Sequence, residues 1–214
     1  TLPGLQLVDP FGGLEDLLAH TLRTPISPEV SFGDDPLRMM RAARFSSQLG
    51  AEIDQVTATA MAEMAPRIGD ISAERVRDEL VKILSSDSPR AGLELLVESG
   101  IAEFVLPEFP ALRLEADEHA HHKDVYQHTL TVVEQAIDEE RRRYPGATPD
   151  VVLRMASLLH DIGKPATRRF ESGAVTFYHH DVVGAKLAKK RLKALRFDNE
   201  TISAVAHLVE LHLR

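Results

Sequence analysis

Three features of the chain predict a mainly α-helical fold. From Pro36 onward, apolar residues recur at helical spacing with few interruptions. Gly50, Pro66, Pro89 and Gly100 punctuate that pattern at intervals of about one helix. One stretch, "TRRFESGAVTFYHH", instead places a Ser-Gly turn between two short β-prone runs, which predicts a small hairpin. The fold class is a helical body followed by an all-α second half. A short α/β stretch opens the chain, and one β-hairpin interrupts the second half.

The elements follow in order. Leu5 to Asp9 reads as a short strand, and the turn Pro10-Phe11-Gly12-Gly13 follows it. Leu14 to Thr21 reads as a helix, and Pro25 with Pro28 marks a loop. These first thirty or so residues bury little by themselves and read as the tail of a larger domain. Asp34 or Asp35 caps the next helix, with Pro36 suited to its first turn. Helices are expected over about 36–49, 53–65, 72–85, 89–99 and 100–105. Leu106-Pro107-Glu108-Phe109-Pro110 reads as a linker and a domain boundary. Beyond it, helices are expected near 124–143, 149–161, 180–195 and 199–212.

Composition narrows the functional classes. The 214 residues allow one large domain or two small ones, and 43% hydrophobic content supports a sizeable core. There is no cysteine, which excludes a disulfide framework and a thiolate metal site, and fits a reducing cytoplasm. No apolar run approaches a membrane span, and no signal peptide is recognised. A formal charge of -8 argues against a general nucleic-acid coat. It leaves room for local basic faces at Arg141 to Arg143, at Arg168 and Arg169, and at Lys186 through Arg196. The sequence sets no oligomeric state.

Nine of the ten histidines lie after residue 118, so the two halves are expected to do different work. Within "ASLLHDIGKPATRR", His160 and Asp161 end an apolar run. Imidazole nitrogen and carboxylate oxygen both suit a divalent cation at neutral pH. Adjacent helical residues diverge by about 100°. A helix that loosens at its C-terminus, as Gly163 favours, lets both side chains reach one ion. His128, His180 and His212 lie on neighbouring helical segments, and one ligand per helix is how bundle cores build metal sites. His119, His121 and His122 read as solvated loop residues, and His179 and His207 as structural or exposed. Lys164 reads either as a phosphate contact or as a solvated cation at a helix end.

The first half carries a different signal in "DDPLRMMRAARF". Arg38, Arg41 and Arg44 recur every three residues and span about 120° of a helix. Met39, Ala42, Ala43 and Leu49 form an adjacent apolar stripe expected to face the core. Asp35 lies within i,i+3 reach of Arg38. Such a pair is either a surface ion pair or a carboxylate and guanidinium that together read the edge of a base.

Two resemblances extend this reading. The set of His128, the His160-Asp161 pair, His180 in "FYHHDVVGA" and His212 resembles the HD superfamily of metal-dependent phosphohydrolases. The resemblance implies that these residues hold one or two divalent ions (Mg, Mn, Ni or Co), which activate water and neutralise the phosphate under attack. It further implies His160 and Asp161 as catalytic, and a later Asp that this chain does not show; Lys164, close behind the pair, joins them as a catalytic candidate that steadies the developing charge. "DPFGGLEDL", "GDDPLRMMRAARF" and "ISAERVRDEL" resemble, in order, three motifs of the bacterial CCA-adding and poly(A) polymerase family, the class II tRNA nucleotidyltransferases. That resemblance implies a head–neck hinge at Asp9 to Leu17, and Asp35 with Arg38 templating CTP or ATP, assisted by Arg41. Asp34 stands where the family often has Glu. Ser72, Glu74, Arg75 and Glu79 are implied to brace the nucleotide pocket.

The family also implies a head with a glycine-serine turn and two magnesium-binding carboxylates, which the residues before Leu5 do not supply. The expected organisation is 1–32, the end of that head; 33–110, a nucleotide-selecting and RNA-binding neck; and 111–214, an HD domain that is truncated. The expected partners are a tRNA or other RNA 3′ end and nucleoside triphosphates, with no membrane and a cytoplasmic location. Two alternatives stay open at this stage. One is a stand-alone HD phosphohydrolase on a helical scaffold. The other is a non-catalytic RNA-binding module with a vestigial HD site.

Overall fold

The computed structural model describes residues 8–114, 124–171 and 174–214. It is mainly α-helical, with two small two-stranded sheets. The strand expected at Leu5 to Asp9 lies largely outside the described residues, as do His119, His121 and His122.

Helix α1 spans Gly13–Leu18, ending three residues short of the expected Thr21, and Asp9 accepts from the Gly13 and Leu14 N–H groups at its start, both at 2.8 Å. Thr21, expected to end that helix, instead begins the strand β1 (Thr21–Leu22). It pairs in parallel with β2 (Glu52–Ile53), a strand the sequence reading missed. The expected loop at Pro25 and Pro28 also contains a helix, α2 (Pro28–Asp34). Pro28 sits at its first position and Ser27 caps it, so this proline starts a helix rather than breaking one.

Helix α3 (Leu37–Leu49) follows at once, and Asp35 Oδ1 accepts from the Leu37 N–H at 3.2 Å. Met39, Met40 and Ala43 are fully buried on it. Leu49, expected to face the core, is 49% exposed. Ten residues beyond Met39, at about 100° per residue, Leu49 points away from the core-facing side of the helix, and Gly50 ends it in the left-handed conformation. Helices α4 (Gln55–Met64), α5 (Ala73–Leu84), α6 (Pro89–Glu98) and α7 (Ala102–Val105) complete the first half. Helix α6 crosses α3 closely at Gly92, where a Cβ would lie 2.5 Å from the Ala43 carbonyl oxygen.

The stretch 106–110 is not a loose linker. Leu106 and Phe109 are buried, and Phe109 stacks 5.0 Å from the ring of Tyr126. Glu108 receives a two-pronged bond from Arg191 at 2.8–3.1 Å. The second half contributes α8 (Val125–Arg143), α9 (Val151–Leu159), a short α10 (Lys164–Thr167), α11 (His180–Ala194) and α12 (Asn199–Leu211). The expected hairpin is present as antiparallel β3 (Arg169–Glu171) and β4 (Ala174–Thr176).

One apolar cluster runs through both halves, from Phe32, Met40 and Leu80 to Leu130, Met155 and Val209. Guanidinium groups reinforce the join. Arg154, 3% exposed, donates to Glu140 at 2.8 Å and to the carbonyls of Leu84 and Ser86 at 2.8 and 2.9 Å. Arg90 on α6 reaches Glu134 on α8 at 2.6–2.7 Å. Arg77 on α5 donates to the Arg196 carbonyl at 2.5 Å.

Candidate functional site

Four helices deliver the histidines to one place. Asp124 caps α8 and sets His128 in its first turn. Asp150 caps α9, which ends at Leu159 and passes directly into His160 and Asp161. His180 opens α11, and His212 closes α12. Asp161 is 1% exposed and stands at the centre. Its Oδ2 lies 3.1 Å from His160 Nε2, 4.0 Å from His128 Nε2 and 2.7 Å from Lys164 Nζ. Its Oδ1 lies 3.4 Å from His180 Nε2 and 3.8 Å from His212 Nε2. Two sets of ligand atoms, His128-His160-Asp161 and Asp161-His180-His212, therefore share one carboxylate.

Main-chain carbonyls orient three of the rings. Nδ1 of His160, His180 and His212 lies 2.7–2.8 Å from the carbonyls of Ser157, Phe177 and Val209, each three residues earlier. A carbonyl only accepts, so Nδ1 carries the hydrogen in the neutral ring and Nε2 keeps its lone pair. The Nε2 atoms of His180 and His212 then face each other at 3.2 Å. Two lone pairs that close repel unless a proton or cation lies between them. On this observation the residues fit a divalent cation.

The electrostatics agree. Burial alone would raise the Asp161 carboxyl, but its contacts with His160 and Lys164 outweigh it and hold the group well below the usual carboxylate range. Burial pushes His212 below the ordinary histidine value, partly offset by the bond to the Val209 carbonyl. The cluster opens on a cleft of about 500 Å³ whose other walls are mainly apolar, with Val132, Leu153 and Leu208.

Gly163 serves this site for a reason other than the one expected. It is not left-handed, with φ of -78°. Instead it lets the His160-Asp161 turn press against the start of α11. A Cβ there would meet the His180 carbonyl oxygen and come within 2.7 Å of the Gly184 nitrogen. Gly163→Ala is expected to cost about 1–3 kcal/mol in urea unfolding, through overpacking. It is also expected to displace His180 from the cluster.

Among the described residues, two further histidines stand apart. His179 and His207 are exposed and belong to neither ligand set. The carbonyls that orient the rings escaped the sequence reading because main-chain acceptors leave no residue-type signal. Arg154 was also missed. Its one available signal is a charged residue inside the apolar run "VVLRMASLL".

The arginine helix lines a second cleft, of about 550 Å³, with Arg38, Arg41, Asp34, Phe32 and Phe45 on its walls. Arg38 Nη1 donates to the backbone and hydroxyl oxygens of Ser31, both at 3.1 Å, and lies 4.0 Å from Asp34. The expected Asp35–Arg38 pair is not formed: the Asp35 carboxylate is held at 2.9 Å by Arg75. Asp35 is not among the lining residues. The reason is that Asp35 precedes α3 and its backbone turns the side chain toward the N-terminal turn of α5. Glu79, buried on the same helix, binds Arg44 at 3.1 Å and Lys82 at 2.9 Å. Arg75 and Glu79 thus tie α5 to the arginine helix. Glu74 is exposed, and Ser72 makes no capping bond.

Comparison with known proteins agrees with both halves. Residues 50–112 match a family model described as the probable RNA and SrmB-binding site of polymerase A. Residues 125–214 match the HD domain. An A-adding tRNA nucleotidyltransferase of Deinococcus radiodurans is 36% identical over 98% of this chain and 48% of its own length. A CC-adding tRNA nucleotidyltransferase of Thermus thermophilus is 34% identical over 94% of this chain and 46% of its own length. The chain therefore spans about half the length of these relatives. Among solved structures, a tRNA-processing enzyme in an apo form aligns with a TM-score of 0.63 at 21% identity, covering 97% of this chain and 50% of that one. The Bacillus stearothermophilus CCA-adding enzyme in complex with CTP aligns at 0.56 and 24%, covering 97% and 42%. These two show the shared fold. Two family models matching in tandem, with relatives 34–36% identical along nearly the whole chain, make this chain similar to about half the length of the CCA-adding tRNA nucleotidyltransferases, with an HD-domain match in its second half.

Proposed function

We propose that this chain is the nucleotide-selecting and phosphohydrolytic part of a tRNA nucleotidyltransferase that adds CMP or AMP to RNA 3′ ends. The division into 1–32, 33–110 and 111–214 belongs to this proposal. One observation carries the hydrolytic half: four histidines from four helical segments converge on the single buried carboxylate of Asp161. A divalent ion bound there would activate water and neutralise charge on a phosphate ester. His128, His160, Asp161, His180 and His212 would hold it.

The chain's own groups do the rest. The carbonyls of Ser157, Phe177 and Val209 keep three rings in the ligating tautomer. Lys164, fixed by Asp161 and lining the same cleft, supplies positive charge where a phosphate oxygen becomes more negative. The apolar walls hold the organic part of the ester. Phosphate monoesters, cyclic phosphates and RNA 3′ ends are the substrate classes that fit. In the first half, Arg38 and Arg41 face the second cleft, and the CTP complex of the Bacillus stearothermophilus enzyme together with the A-adding relative make CTP and ATP the ligands to test. The location that fits these substrates is the cytoplasm. Among the described residues no helix is long and apolar enough to cross a membrane.

Hydrolysis of an RNA ending in a 2′,3′-cyclic phosphate, in the presence of Mg, Mn, Ni or Co, tests the hydrolytic half. Activity with any of these ions that chelation abolishes supports it; inactivity with all four sinks it. Equilibrium binding of CTP and ATP tests the other half. Arg38→Ala is expected to weaken the bound nucleotide by roughly 10- to 100-fold, the loss of a charge-assisted hydrogen bond. Unchanged affinity would leave the first half as a scaffold only.

A further inference from the structure

The cationic side chains of this chain are mostly spoken for. Arg141, Arg142 and Arg143, one of the basic clusters in the sequence, pair with Asp87 or Glu139. Helix α11 is different. Lys186, Lys189, Lys190 and Lys193 are exposed, and none of them has an ion pair or hydrogen bond from its side chain to a described residue. At 100° per residue the four fall within about 100° of arc and run along about 10 Å of helix. Ala188, Leu192 and Leu195 are buried on the other side, so packing against the core fixes the direction of the stripe. The one arginine within it, Arg191, is turned away and bound to Glu108.

The stripe ends at Arg196, which has a left-handed backbone, φ 60°. Such a position after a helix normally takes glycine, because a Cβ is strained there. Arg196 is exposed, and its carbonyl accepts from Arg77, which lies within the segment matching the polymerase RNA-binding model. The basic run is therefore continuous with that segment although it lies far outside it in sequence. In a chain of net charge -8, five cations without carboxylate partners on one face are held against the general balance.

We propose that the exposed stripe Lys186, Lys189, Lys190, Lys193 and Arg196 is a sequence-independent contact for the phosphate backbone of RNA, continuing the first half's surface onto the HD half. The inference rests on the RNA substrate class proposed above. Exposed lysines flanked by few exposed apolar side chains favour a polyanion in water over a lipid surface, where an apolar face would have to insert.

The test is equilibrium binding of an unmodified tRNA transcript across a salt series. The wild-type chain is expected to bind with affinity that falls steeply as salt rises. The variant with Lys186, Lys189, Lys190 and Lys193 all changed to Gln is expected to bind about 10- to 100-fold more weakly near 0.1 M salt, with a log–log salt slope shallower by about 2–4. Its unfolding midpoint and metal content should match wild type. Arg196→Gly is expected to be at least as stable as wild type, since the strain is relieved, yet to bind the transcript less tightly. An unchanged affinity and slope in the quadruple variant overturns the proposal, as does a wild-type chain that ignores the transcript but binds phosphatidylglycerol vesicles. The CTP and ATP binding assay judges the nucleotidyltransferase reading separately, because the stripe is remote in sequence from Arg38 and Arg41.

Discussion

Asp161→Asn is expected to strip the protein of divalent metal. The substitution keeps the shape of the side chain and removes its charge. Both carboxylate oxygens are in use: Oδ2 faces His160, His128 and Lys164, and Oδ1 faces His180 and His212. An amide must place its NH₂ on one of those sides. It would then donate to an imidazole nitrogen that the site needs as a ligand, and it would leave Lys164 beside a neutral partner. Metal analysis after dialysis should show a loss of at least about 10-fold in occupancy, in keeping with the sensitivity of metal sites to their anchoring groups. His207→Ala, on the exposed face of α12, should retain wild-type metal. Equal metal content in Asp161→Asn and wild type would remove the basis for the hydrolytic reading.

The largest effect on stability is expected at Arg154, which belongs to neither ligand set. Arg154→Ala leaves the Glu140 carboxylate buried without its cation and leaves the carbonyls of Leu84 and Ser86 without their donor. Breaking a buried pair from one side costs about 3–5 kcal/mol. That is a large share of the roughly 5–15 kcal/mol by which domains are stable. Burial would raise the Glu140 carboxyl, but Arg154 and the Asp150 N–H, at 2.6 Å, outweigh it and hold it below its ordinary value. A depressed carboxyl contributes stability that is present above its unfolded value of 4.5 and lost as pH falls through the folded one. Without Arg154 the sign reverses: burial dominates, Glu140 is raised, and acid relieves the variant by protonating it. The gap between wild type and Arg154→Ala in urea unfolding should therefore be widest at pH 7 and narrow toward pH 4. A gap that is constant with pH, or under about 1 kcal/mol, would show that the pair is not holding α8 to α9.

Much of the helical architecture was legible because periodicity and punctuation agree over long segments. Helices α3, α5, α8, α11 and α12 lie within a residue or two of their expected bounds. The misses have local causes. Pro28 was read as a breaker, although a proline behind a serine cap is a helix start. A two-residue parallel pair such as β1 and β2 has no period to detect. Leu106 and Phe109 were read through their neighbouring prolines rather than through their own apolar side chains, which lie in the core. At the histidine cluster, the residue types and their separation on several helices were readable, and the structure brings all five together. What orients them was not, because it is the peptide backbone. In the arginine helix the residues were readable and their pairing was not: sequence distance favoured Arg38 for Asp35, and a turn from another helix supplied Arg75.

The join between the two halves has an asymmetry that bears on how this sequence can drift. Arg154 donates to the carbonyls of Leu84 and Ser86, and Arg77 to that of Arg196. Every amino acid brings the same carbonyl, so most substitutions at the receiving positions leave those bonds intact. Substitution on the donating side destroys them, so for these carbonyl bonds the vulnerability to mutation is concentrated in two codons.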